Sequence, residues 1–204
     1  MTTPLSLHAG TRRKRTAQVP FVADLSLTAT RVHEFRGLAR RSLAMMLATR
    51  MQGPVFWIAP AWDTPHLHAQ GMQGFVDPGR FTFMTPKRPE DVLWVMEETL
   101  RAGIVPLVVA DIPAPPALTP VRRLHLAAEH GAKLTHQKGL GLLLTGTETP
   151  APGVESRWRL DPNHAHPNGG WHLTRERHRS DPPKSWHLQS AQTGYRLGDM
   201  DTAA

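Results

Sequence analysis

RPEDVLWVMEETLRAGIVPLVVAD, residues 88–111, contains a helix and a buried strand joined by one glycine. Pro89, Glu90 and Asp91 make a helix start, and Val92, Leu93, Met96 and Leu100 form one apolar face before Gly103 stops the helix. The aliphatic run at 104–111 does not alternate, as expected of a strand buried on both faces of a parallel sheet. Downstream, LTPVRRLHLAAEHGA predicts a second helix with Thr119 as N-cap, Pro120 at its first position and Gly131 as its terminator; GLGLLLTG at 139–146 is another strand. Upstream, GRFTFMTP at 79–86 alternates like a strand, and PVFWIAP at 54–60 is a short buried strand following a helix over 39–50. Strands and helices alternating at these lengths imply an α/β fold with a mostly parallel sheet flanked by helices.

Past Pro150 the pattern changes. ESRWRLDP, GGWHLTRERH and KSWHLQS are short alternating segments separated by prolines, glycines and asparagines, which predicts a C-terminal antiparallel β-hairpin extension over 151–189. Residues 190–204 read as a loose tail and 1–20 as a flexible basic arm, leaving 21–150 as the α/β domain.

The chain has 204 residues, 40% of them apolar, enough for one core. It has no Cys, which excludes disulfides, Cys-based zinc sites and a Cys nucleophile. No apolar run approaches the roughly 20 residues needed to span a bilayer, and no secretory-type apolar core follows the basic residues near the N-terminus. A cytoplasmic protein without membrane contact is expected. Lys and Arg outnumber Asp and Glu by 24 to 17, which suits a polyanion or an acidic protein surface as partner.

FRGLARRSLAMML, residues 35–47, has the layout of a strand, a loop and a helix, where a nucleotide would be held. A working P-loop needs glycines so that backbone N–H groups can close on phosphates, a Lys for the β- and γ-phosphates, and a hydroxyl for Mg²⁺. From Gly37 onward there is no second glycine and no Lys. Arg41-Ser42 is a conceivable surrogate for Lys-Thr, but Phe35 would then stand where the motif needs glycine. A water-activating Glu expected at the close of VFWIAPAW is replaced by Ala59, Pro60 and Ala61, with Asp63 displaced. Asp111, closing PLVVAD, does match the position of a Mg²⁺-organising acid. Gly37, Arg41, Ser42 and Asp111 are thus remnants of a nucleotide site, and no catalytic residue is expected.

VHEFRG before the first helix, GPVFWIAPAWDTP, the segment from VDPGRFTFMTP through LTPVRRLHLAAEHG to GLGLLLTG, and the late RWRL and PPKSW resemble the RecA-like family that includes ImuA and SulA. ImuA is the accessory protein of bacterial mutagenic translesion synthesis, and SulA is a cell-division inhibitor. The likeness spans roughly residues 32–189 and is closer to ImuA, because of the late Arg- and Trp-bearing segments. It implies a non-catalytic factor of the SOS response to DNA damage, without cofactor. Its expected partner is an ImuB-like, Y-family-related protein, with the RecA filament or DNA as further contacts. The alternatives are a SulA-like protein binding a tubulin-like GTPase, and a divergent RecA-like ATPase.

The residues suggest where contacts would lie. Arg12, Arg13, Lys14 and Arg15 form one basic run; Arg122 and Arg123 open a helix, where positive charge opposes the macrodipole. Trp158, Trp171 and Trp186 sit among Arg157, Arg159, Arg175, Arg177 and Lys184, an interleaving that suits stacking on single-stranded nucleic acid or docking on an acidic partner, or equally the core of a small sheet. Trp57 and Trp94 are expected to be packing residues. His66 with His68, and His164 with His166, lack metal-ligand spacing, so no metal is expected.

Overall fold

The computed structural model describes residues 17–62, 67–146, 149–166 and 169–199. The aliphatic runs form the centre of a nine-stranded sheet ordered β11-β10-β9-β8-β3-β7-β6-β4-β5. Its parallel part comprises β3 (Val32–Arg36), β4 (Val55–Ile58), β5 (Phe81–Met84), β6 (Leu107–Ile112), β7 (Leu140–Thr145) and β8 (Ser156–Pro162). β6 and β7 are buried along their whole length, which is why their sequences carry no alternation.

Helices cover both faces. On one, α1 (Arg40–Arg50) packs Leu43, Met46 and Leu47 against Val109 and Leu142; on the other, α3 (Pro89–Ala102) and α4 (Leu118–Thr135) pack Met96, Leu100 and Leu124 against Val32, Val108 and Leu143. A four-residue helix α2 (Ala69–Met72) lies between β4 and β5 in sequence. Among the described residues no helix is long and apolar enough to cross a membrane.

The C-terminal antiparallel hairpins extend the main sheet: β8 pairs parallel to β3, and β9 (Trp171–His178), β10 (Lys184–Ser190) and β11 (Tyr195–Asp199) continue it antiparallel. Four local expectations are corrected. Tyr195–Asp199, expected as loose tail, is therefore the edge strand. The end of the expected arm, residues 18–20, belongs to β1 (Gln18–Val22), which pairs with β2 (Leu25–Thr28) across a turn with Ala23 at φ 48°. This hairpin lays Phe21, Val22 and Leu27 on the α1 face, so burial outweighs the cost of a left-handed alanine.

Gly131 does not end α4. The helix runs on to Thr135 and closes at His136 in the left-handed conformation, while its start is Leu118 after an extended Ala117, without a Thr119 cap. Gly131 instead lets α4 touch the end of α3: a Cβ there would lie 2.2 Å from the Leu100 carbonyl oxygen and 2.7 Å from the Gly103 Cα. The backbones meet where neither residue has a side chain.

Candidate functional site

In an open α/β sheet, ligands bind outside the carboxyl ends of the strands, where neighbouring connections leave in opposite directions. Here β3 exits into α1 on one face, whereas the chain leaving β7 runs over the other face to β8. The crevice between them is where FRGLARRS lies, and it contains the residues expected as remnants of a nucleotide site.

The protein's own groups fill it. Leu38 donates its backbone N–H to Asp161 Oδ1 at 2.8 Å, and Ala39 donates to the Leu160 carbonyl at 3.0 Å. These are the two amides of the turn that would face a phosphate, and strand β8 satisfies both. Gly37 sits at φ +91°, and a Cβ on it would come within 2.3 Å of the Leu160 carbonyl oxygen. Its glycine therefore serves close contact with β8.

Arg41 Nε donates to Asp111 Oδ2, and Arg40 Nε lies 3.8 Å from Asp111 Oδ1. The acid that would organise Mg²⁺ is almost wholly buried and neutralised by the first turn of α1. Ser42 is half-buried on the same turn. Burial raises the Asp161 pKa, but the hydrogen bonds from Arg159 (2.5 Å) and Leu38 outweigh it, so the carboxyl titrates below its ordinary value. An ionised carboxylate thus stands at the mouth of the turn.

Beside the crevice lies a buried ionic network. Glu34, fully buried on β3, accepts from Arg157 Nε at 2.5 Å, the Thr145 hydroxyl at 2.7 Å and the Ala151 N–H at 2.9 Å. Arg157 also donates to the Ala151 carbonyl, and Arg36 binds Glu176 at 3.0 Å. These bonds pin β3, β7, β8, β9 and the loop after β7 in register. The sequence marks Glu34 only as a carboxylate inside the strand-like VHEFR.

Burial sorts the basic and aromatic residues expected to make contacts. Trp158 is 1% exposed, T-shaped against Phe21 with ring centroids 4.9 Å apart and stacked with Trp186 at 6.0 Å, beneath the β1–β2 hairpin. Both tryptophans are core, so neither offers a face to a base. Arg175 lies over their rings at 5.8 and 5.4 Å and is held by Asp181 and the Pro182 carbonyl. Arg157 and Arg159 are spent on Glu34 and Asp161. Trp171 is half-buried against Tyr195.

Exposed cations remain at Arg122, Arg177 and Lys184, the last near Asp199 and over Trp186, while Arg123 reaches Glu97 at 2.8 Å. Arg12, Arg13, Lys14, Arg15 and His66 lie outside the described residues. Trp94, expected to pack, is 59% exposed, because it lies two residues from both Val92 and Met96, on the side of α3 turned away from the Val92–Met96–Leu100 face. Trp57 is buried. Among the described residues no group of three or more His, Asp or Glu side chains is arranged to hold a metal.

No family model matches the chain, and no curated protein matches it significantly.

Proposed function

We propose that this chain is a non-catalytic accessory protein of RecA-like, ImuA-like type, acting in SOS-induced mutagenic translesion synthesis by binding an ImuB-like, Y-family-related partner, with the RecA filament or DNA as further contacts. The pathway comes from the resemblance of residues 32–189. The physical content comes from the crevice. A carboxylate on the Leu38 amide and a second one between Arg40 and Arg41 occupy the positions where a triphosphate and its metal would have to sit. A chain with that scaffold and that plug works through its surface.

Mg-ATP is the direct probe. A nucleotide bound only by the folded chain at 100 times its Kd adds about 2.7 kcal/mol of stability. No thermal shift is expected; a shift of that size lost in Asp111→Ala would instead support the divergent ATPase. Deleting the gene should lower damage-induced mutation frequency, whereas filamentation on overexpression with intact mutagenesis would support the SulA-like alternative.

A further inference from the structure

We propose that the groove between the amino-terminal halves of α3 and α4 is a docking site for a basic peptide segment of a partner protein, with Trp94 as its anchor. The two helices touch backbone to backbone at Gly103 and Gly131, at the far end of the pair. Toward their starts they leave a groove of ≈ 450 Å³. Leu93, Pro120 and Leu124 form its apolar lining, and Trp94 stands over it with more than half its surface in water. Exposed tryptophan beside an apolar groove is the kind of surface that becomes a binding hot spot, since a partner gains the burial of a large rigid ring at little entropic cost.

Charge selects the occupant. The chain as a whole carries +7, yet this groove is rimmed by Glu90 and Asp91, which have no ion-pair partner among the described residues. The third acid, Glu97, is already neutralised by Arg101 and Arg123 at 2.5 and 2.8 Å. Carboxylates at a helix start complement the helix dipole, and that accounts for their presence on α3. It does not account for an indole lining the same groove and open to solvent. Indole and carboxylate together form a receptor for a Lys or Arg side chain, through its stem, its charge and the ring face. The net charge of +7 disfavours such a segment on the molecule as a whole, and Glu90 and Asp91 favour it here. The groove lies on the α3–α4 face and not in the crevice at β3 and β7, so the proposal stands independently of whether nucleotide binds.

Fluorescence anisotropy on the full chain tests it, with a fluorescein-labelled twelve-residue peptide of repeating Arg-Leu-Ala and the same peptide with Glu in place of Arg. The Arg peptide should bind at least tenfold more tightly than the Glu peptide. Trp94→Ala should weaken binding about thirtyfold, the loss expected of a hot-spot residue. Glu90→Gln with Asp91→Asn should weaken it about tenfold, and Leu126→Ala, on an exposed part of α4, should leave it unchanged. Unaltered thermal melts would establish that the variants fold. Absence of binding to the parent chain, equal binding by Trp94→Ala, or equal affinity for the Glu peptide overturns the proposal. So does a dimer in sedimentation velocity that Trp94→Ala dissolves, since the occupant is then a second copy.

Discussion

Asp161 holds the backbone N–H of Leu38 at 2.8 Å, across 123 residues of sequence. A carboxylate from β8 thus takes the place that a bound phosphate takes in nucleotide-binding turns of this layout. Removing the two carboxylates of the crevice should create an anion site. Asp161→Ala with Asp111→Ala is expected to be stabilised by millimolar inorganic phosphate or pyrophosphate in thermal melts, while the parent chain is not. Equal response of the two proteins would mean that the carboxylates are not plugging the turn.

Because its folded pKa is depressed, Asp161 contributes stability that is fully present above its ordinary value near 3.8 and is lost as pH falls through the lower folded value. Asp161→Asn should therefore lower stability at neutral pH and lose its difference from the parent in strong acid. Urea titrations at several pH values measure it.

Gly37→Ala should destabilise the chain by at least about 2 kcal/mol, the sum of a left-handed alanine and a contact with nowhere to relax. The obstructing atom is a strand carbonyl, 2.3 Å from the new Cβ. Chemical denaturation reads this directly, and a neutral result would show that β8 does not press on the turn.

His33 is buried, and desolvation, only partly offset by its bond to Thr28, lowers its pKa from 6.5 to about 3. It is held neutral between the Thr28 carbonyl and the Ser156 hydroxyl, which in turn accepts from the Trp158 indole N–H. Between those two pH values the unfolded chain binds a proton that the folded chain does not, so stability should fall with decreasing pH by up to about 1.4 kcal/mol per unit. Burial lowers the His125 pKa as well, which adds in the same direction. The slope below pH 6.5 should flatten in His33→Gln.

Arg157→Met should cost about 3–5 kcal/mol, because it strands the buried Glu34 carboxylate without its ion-pair partner. Adding Glu34→Gln should recover part of that loss. A double-mutant cycle that finds the two changes additive would contradict a direct coupling.

Gly131→Ala sets two rules against each other. Helix propensity alone would make alanine more stable by up to about 1 kcal/mol. The 2.2 Å approach to the Leu100 carbonyl opposes it, and overpacking of that kind costs about 1–3 kcal/mol. Net destabilisation is expected; a rise in Tm would mean that the helices separate freely.

Much of this molecule was legible locally. The 3.6-residue spacing of Val92, Met96 and Leu100, and the unbroken aliphatics of β6 and β7, report burial through neighbours a few residues away, so helices, strands and the α/β class follow from the chain itself. The missing glycines and lysine after Gly37 are local facts too, and they already argued against a P-loop. What the chain could not disclose depends on partners more than 100 residues distant. The Gly37 contact with Leu160, the Leu38 bond to Asp161 and the Glu34 pair with Arg157 exist only because β8 returns beside β3. The same holds for Trp158, which the sequence left open between surface contact and core until the β1–β2 hairpin covered it; Trp94, expected in the core, is exposed because of its place on the turn of α3, a local feature. Periodicity determines which face of an element is apolar, but only strand order determines what that face, or a polar group beside it, will meet.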